Sequence, residues 1–287
     1  MISQTVPNPH HIFKPIEGFA LAPADFPILL RIIIEFAERA CLYQLNQLAI
    51  QDDETNEQFE ARVRFVKSLY VPKIRFQGEN GVIITSTVES PEAADNLPEN
   101  IDKIEIETHF AYRSDINKDP PHLLYLLLDF TTINSKGVFV QPAFPTPNAS
   151  QYTLSGEDEN LIRSTGAKLD EFFNNRKRSF SWIHKGGAYD TLLMFLGVPL
   201  LGWFLNISVP WIDSLFGPKT GPFHYMGYVF CGLIGIKAFM GMFNYARMTW
   251  PLTEILGANK TRSAQRFVWV SLALSILASV IVSIFIP

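Results

Sequence analysis

The sequence predicts an α+β domain over residues 1–178, followed by an all-α module of three transmembrane spans over 179–287. Three observations carry that division. Three apolar runs, about 191–215, 223–243 and 267–286, each reach the ~20 residues needed to cross a ~30 Å hydrocarbon core. Ahead of them, apolar residues first recur at helical spacing and then switch to period two. The charge divides in the same place. Residues 1–175 carry 14 Lys/Arg and 25 Asp/Glu, whereas residues 176–287 carry 10 Lys/Arg and 3 Asp/Glu.

The elements follow in order. Residues 1–23 are Pro-rich and aperiodic and read as an extended lead-in. Asp25 and Pro27 suit a helix start, and Leu30, Ile33, Ile34, Ala37, Cys41, Leu45 and Leu48 then recur on one face. Arg31, Glu35 and Arg39 exclude a membrane span here. Thr55 and Gln58 form a capping box for a second helix reaching about Tyr70. Two period-two segments, 73–77 and 82–88, flank Gly78-Glu79-Asn80-Gly81, a hairpin signal. Alternation over 103–112 predicts a half-buried antiparallel strand. The segment 123–130, apolar on both faces, predicts a central strand, and 137–141 a further one. A last helix is expected from Ser155 to Asn175, with acids at its start and Arg176, Lys177 and Arg178 at its end. The expected domain thus has two N-terminal helices, a four- to five-stranded, mostly antiparallel sheet, and one C-terminal helix.

Lys and Arg concentrate at 176–178 and over 247–266, while the loop between the first two runs holds only Lys219. Short basic segments beside spans stay cytoplasmic. The expectation is a cytoplasmic N-terminal domain and a C-terminus outside, in a bacterial inner membrane. The opening residues carry no secretory signal, which agrees. An interfacial segment on the cytoplasmic leaflet is expected over 244–266.

Candidate chemistry is sparse. No nucleotide-binding loop, zincin helix, nucleophile elbow or kinase set is present. Glu105, Glu107 and His109, at i, i+2 and i+4 of a strand, would share a face and could hold a divalent metal or act as acid and base. A solvated sheet face explains the same pattern. Within the membrane, Lys237, Asp190 and Asn206 are the polar residues that stand out. Lys237 lies two turns from the expected end of the second span, with Asp190 as an expected partner. Pro199 and Pro210 interrupt the first span. Ser271, Ser275, Ser279 and Ser283 repeat every four residues in the third run, and Gly227, Cys231 and Gly235 do so in the second. Such stripes let helices approach closely.

The acidic domain argues against nucleic acid as a partner. The lipid bilayer, and a second copy or a protein partner, are the partners expected. No cofactor is specified. The leading functional expectation is a membrane-anchored sensor or effector. Its domain would bind a protein or small ligand, and its spans would oligomerise and could perturb or conduct across the membrane. A non-catalytic scaffold or assembly factor is the alternative, and a tethered metal-dependent enzyme the second alternative.

Overall fold

A computed structural model describes residues 10–51, 54–78, 81, 83–87, 101–131, 143–216, 222–257, 264–271 and 275. The chain folds as two units. One comprises Met1–Thr131, Asn148–Arg178 and Thr253–Asn259; the other comprises Thr132–Pro147, Ser179–Leu252 and Lys260–Pro287.

The first unit is α+β. Helix α1 (Phe26–Leu45) starts after Asp25, whose carboxylate accepts from the Ala22 N–H at 2.7 Å and pairs with Arg176 at 2.7 Å. Helix α2 (Asn56–Leu69) begins at the Thr55–Gln58 capping box foreseen in the sequence. Strands β1 (His10–Pro15), β3 (Lys73–Gly78), β4 (Ile83–Thr87), β5 (Ile101–Glu107), β6 (His122–Asp129) and β7 (Gln151–Gly156) form one antiparallel sheet in the order β1-β7-β6-β5-β3-β4. Helix α3 (Phe110–Ile116) separates β5 from β6, and helix α4 (Glu159–Asn174) follows β7. Ile74, Ile104, Ile106, Leu124, Leu126, Leu128 and Leu154 join Leu29, Ile33, Leu161 and Leu169 in one apolar core. The long helices therefore cover one face of the sheet.

Several sequence expectations are corrected. The lead-in is not featureless: His10–Pro15 forms an edge strand, with His10 opposite Gly156 and Pro15 opposite Gln151. Ser155 lies in β7 rather than starting a helix. The N-cap of α4 is Asp158, whose side chain accepts from the Asn160 and Leu161 amides. The strand expected to reach Tyr112 stops at Glu107; Phe110 and Tyr112 keep a two-residue spacing inside α3, which ends at Asn117 in the left-handed region, φ 56°. The expected strand at 137–141 lies outside the described residues. Close packing fixes one glycine. A Cβ on Gly156 would lie 2.3 Å from the His122 ring, which is fully buried and accepts from the Asp158 amide at 2.9 Å.

Residues 253–257 belong to this unit. Strand β8 (Glu254–Ile255) pairs in parallel with β2 (Ala20–Leu21). The Thr253 hydroxyl donates to the Asp129 carbonyl, and the Arg178–Glu254 ion pair is almost wholly buried.

The second unit is dominated by an antiparallel helical hairpin. Its first arm runs through α5 (Ala188–Leu192), a π turn at Leu193–Gly197 and α6 (Val198–Phe216). The π turn ends two residues before Pro199. A π turn relaxes the i→i−4 ladder where proline supplies no N–H. The second arm is α7 (Pro222–Thr249), which runs six residues beyond the 243 expected from hydropathy. Two stretches, Ala188–Leu215 and Tyr225–Thr249, are long and apolar enough to cross a membrane. Of the third apolar run, 267–271 and 275 are helical and the rest lies outside the described residues.

Candidate functional site

Three places carry chemistry. The first is the sheet face turned away from α1 and α4. Glu107 pairs across β6 with Tyr125, and Glu105 pairs across β3 with Arg75. Arg75 sits 3.0 Å from Glu105 and 3.6 Å from Glu107, and the Tyr125 hydroxyl donates to Glu105 at 2.8 Å. One guanidinium thus serves two carboxylates. Burial pushes the Glu107 carboxyl above the usual range; Arg75 works against this, while Glu105 adds to it. Burial and the hydrogen bond to Glu105 raise the Tyr125 phenol. Lys73 lies over the Phe110 ring, 3.3 Å from its centroid, a cation–π contact.

His109 is not a member of this cluster. Because β5 ends two residues earlier, His109 becomes the N-cap of α3 and is buried. Its Nδ1 has no hydrogen-bond partner. Burial, with Arg113 beside it, lowers the pKa of the imidazole. Among the described residues no group of three His, Cys, Asp or Glu side chains is arranged to hold a metal ion. The Glu105–Glu107 pair is a half-buried acid dyad that shares one arginine.

The second place is a groove of about 740 Å³ in the first unit, between the C-terminal half of α1 and the start of α4. Arg39, Tyr43, Asn46, Asn160 and Arg163 line it. Its size suits a small ligand, and its lining mixes these polar side chains with Leu42 and Leu161. Glu35 holds Arg39 at 2.7 Å and Lys168 as well, and Glu159 pairs with Arg163 at 2.5 Å. The spacing rules of the sequence gave no sign of this groove, because its residues come from segments more than a hundred positions apart.

The third place is the hairpin. Gly227 and Cys231 are buried and Gly235 is half-buried. A Cβ on Gly235 would lie 2.4 Å from Leu201 Cδ1, and one on Gly197 would lie 3.3 Å from the Phe239 ring. The Gly227–Cys231–Gly235 stripe therefore lies on the side of α7 that packs against α6. Asp190, Asn206 and Lys237 are all exposed. The longer α7 moves Lys237 away from the end where the sequence placed it. It sits twelve residues from either limit of Tyr225–Thr249, about 18 Å at 1.5 Å per residue. Ser271 and Ser275 are helical, with the Ser275 hydroxyl donating to the Ser271 carbonyl at 2.8 Å; Ser279 and Ser283 lie outside the described residues.

One end of the hairpin is tied by a polar knot that the sequence did not reveal. Arg247 is 2% exposed; its Nε donates to the Ile183 carbonyl at 2.8 Å and its Nη1 to the Phe144 carbonyl at 3.0 Å. His184 bonds Thr146 through Nδ1 at 2.7 Å and the Trp250 carbonyl through Nε2 at 2.6 Å. Around the knot, Phe180 contacts Trp250, and Trp269 contacts both Trp250 and Tyr245. In the sequence Arg247 reads only as a topology charge, and nothing local signals its burial.

No family model matches the chain, and neither a curated protein nor a solved structure matches it.

Proposed function

We propose that this chain is a membrane-anchored sensor or effector, with the α+β unit as its binding domain and the helical unit embedded in a bilayer. The observation that carries this reading is the outward display of apolar side chains on both arms. Phe195 is 74% exposed, and Trp203 and Val229 are 64% exposed. Monomeric soluble proteins do not leave contiguous apolar surfaces of that extent in water. Aromatic side chains support the placement. Tyr225 and Tyr245 are twenty residues apart on α7, about 30 Å, which is the thickness of a hydrocarbon core with an aromatic residue at each boundary.

Chain connectivity supports the topology. Arg178 and Thr253 belong to one folded unit, so the residues between them cross a bilayer an even number of times. Two crossings by the hairpin satisfy this. The apolar run at 267–286 then supplies a third span and carries the C-terminus to the far side. The basic residues at 176–178 and 247–266 favour the cytoplasm for the binding domain, in a bacterial inner membrane. The groove beside α1 is the favoured site for a small polar ligand, and Ser271, Ser275, Ser279 and Ser283 form the favoured surface for assembly of copies. Burial of the Gly227–Cys231–Gly235 stripe inside the hairpin favours the second reading, a scaffold whose spans only anchor, to the extent that this stripe is unavailable for assembly.

Alkaline carbonate extraction of membranes carrying the full chain tests the embedding. Retention in the pellet is expected, and release into the supernatant would overturn the reading. Native mass spectrometry from mild detergent separates effector from scaffold. A closed homo-oligomer supports the first, and a monomer or a stoichiometric complex with another protein supports the second.

A further inference from the structure

We propose that the Arg247 end of the helical unit is a docking surface for anionic phospholipid, seated in the headgroup layer of the bilayer. The inference deepens the membrane-anchored reading and rests on it. Three contacts within this unit place the surface. The Arg247 Nε donates to the Ile183 carbonyl at 2.8 Å, the His184 Nε2 donates to the Trp250 carbonyl at 2.6 Å, and the Phe180 and Trp250 rings lie 5.5 Å apart. The 3-10 turn Ser179–His184 is thereby held level with the last turn of α7. Tyr245 marks the proposed edge of the hydrocarbon, and Arg247 lies two residues beyond it, about 3 Å. The Arg266 Nε donates to the Thr249 carbonyl at 3.1 Å, which fixes a second guanidinium at the same level.

The turn is two-sided. Ile183 and His184 face inward and are buried, whereas Phe180 and Trp182 are 49% and 46% exposed and exposed Lys185 follows them. Aromatic side chains favour the membrane–water boundary. Charge selects the lipid. Lys185, Arg247 and Arg266 share this level, and residues 179–189 contain no acid. Arg247 is the group most in need of an anion. It is 2% exposed, its partners are two backbone carbonyls and the Phe243 ring, and among the described residues its Nη2 is buried with no acceptor. A charge withdrawn from water without a countercharge is costly. A lipid phosphate bound through Lys185 at this level supplies one by a charge-assisted bond, and an anionic leaflet attracts the basic cluster as a whole. Phe180 and Trp182 favour a lipid over a free phosphate, because their exposed rings gain apolar contact only when the anion brings acyl chains with it.

The test uses the full chain in a Trp203→Phe/Trp211→Phe background, reconstituted in vesicles that mix phosphatidylcholine with phosphatidylglycerol. The remaining tryptophans, Trp182, Trp250 and Trp269, all belong to this end. Bromine on the acyl chains of one lipid at a time quenches their fluorescence in proportion to how often that lipid sits beside them. Phosphatidylglycerol should be favoured by roughly threefold or more over phosphatidylcholine. Lys185→Glu, at an exposed position, should bring the ratio to about one. A parental ratio near one would overturn the proposal, as would an unchanged ratio in Lys185→Glu. Inorganic phosphate should lower the preference no more than sodium chloride of equal ionic strength. A larger effect would mean that the site takes free phosphate and would overturn the lipid assignment. Carbonate extraction of the same samples reports embedding separately. Release overturns the membrane reading, whereas retention with a ratio near one overturns this proposal alone.

Discussion

Helix α1 and the hairpin arms are built from similar apolar residues and use them in opposite ways. Over Phe26–Leu45, Leu29, Leu30, Ile33, Phe36 and Ala40 are at most 1% exposed, and charged residues such as Arg31, Glu35 and Arg39 occupy the other side. Over Val198–Phe216 the only charged residue is Asp213, and most apolar side chains are exposed. The difference lies in the distribution of charge around the helix. A helix with one apolar stripe needs a sheet beneath it, and a helix apolar all round needs a non-aqueous surround.

The same substitution should have different consequences in the two helices. Ile33→Asp buries an unpaired carboxylate in the core and is expected to unfold the α+β unit, a loss beyond about 4 kcal/mol, read as collapse of β6 amide protection. Val229→Asp should leave that protection unchanged while disfavouring membrane insertion, by less than the about 2.5–3.5 kcal/mol of a mid-span Asp because Val229 lies about one turn inside Tyr225, read as a drop in the membrane-bound fraction. If Val229→Asp left that fraction unchanged, the two helices would not differ as stated. Next in size is Leu154→Ala, at a fully buried position. It should cost about 2–5 kcal/mol in urea unfolding followed by the β6 signal, and an effect under 1 kcal/mol would mean that the sheet core is misplaced. Within α7, Gly235→Leu should cost about 1–3 kcal/mol by overpacking against Leu201. A Cβ at Gly241 would meet nothing within 4 Å, so Gly241→Leu should disturb the hairpin far less. A reversed order in thermal melts would mean that the arms meet through another face.

The smallest effects come from titration on the sheet. Glu107 is held above its ordinary 4.5, chiefly by burial, so the folded chain keeps a proton that the unfolded chain loses. Stability from this group is complete below 4.5 and is lost as pH rises through the folded value. His109 is held below its ordinary 6.5, again chiefly by burial. Its contribution is complete above 6.5 and is lost as pH falls through the folded value. Urea melts across the acid range should show Glu107→Gln flattening the first dependence and His109→Gln the second. Identical pH profiles in both variants and the parent would remove Glu107 and His109 as titrating groups.

The sequence was most informative where structure is set locally. The Thr55–Gln58 box, the Gly78–Gly81 turn and the strand ending at Asp129 all depend on residues within a few positions of one another. Elements fixed by distant partners were missed. β1 reads as Pro-rich coil because its pairing surface, Gln151–Gly156, lies over a hundred residues away. β8 is two residues long and exists only because β2 receives it. β7 did carry a signal, since Tyr152 and Leu154 alternate with polar residues, but the acids at 157–159 drew the expected helix start forward to Ser155. At the candidate sites, Glu105 and Glu107 were legible as a shared face and His109 was not, because period two persists into α3. Arg75, which binds both acids, and the Arg247 knot required tertiary structure.

The residues between Arg178 and Thr253 are proposed to form a hairpin that crosses a bilayer twice. The most direct measurement is labelling of single cysteines with a membrane-impermeant maleimide in sealed, right-side-out and inverted vesicles. The positions are Lys185→Cys, Tyr225→Cys and Gly257→Cys, each in the Cys41→Ser/Cys231→Ser background. Positions 185 and 257 should react from one side and position 225 from the other. Labelling of all three from the same side would contradict the account.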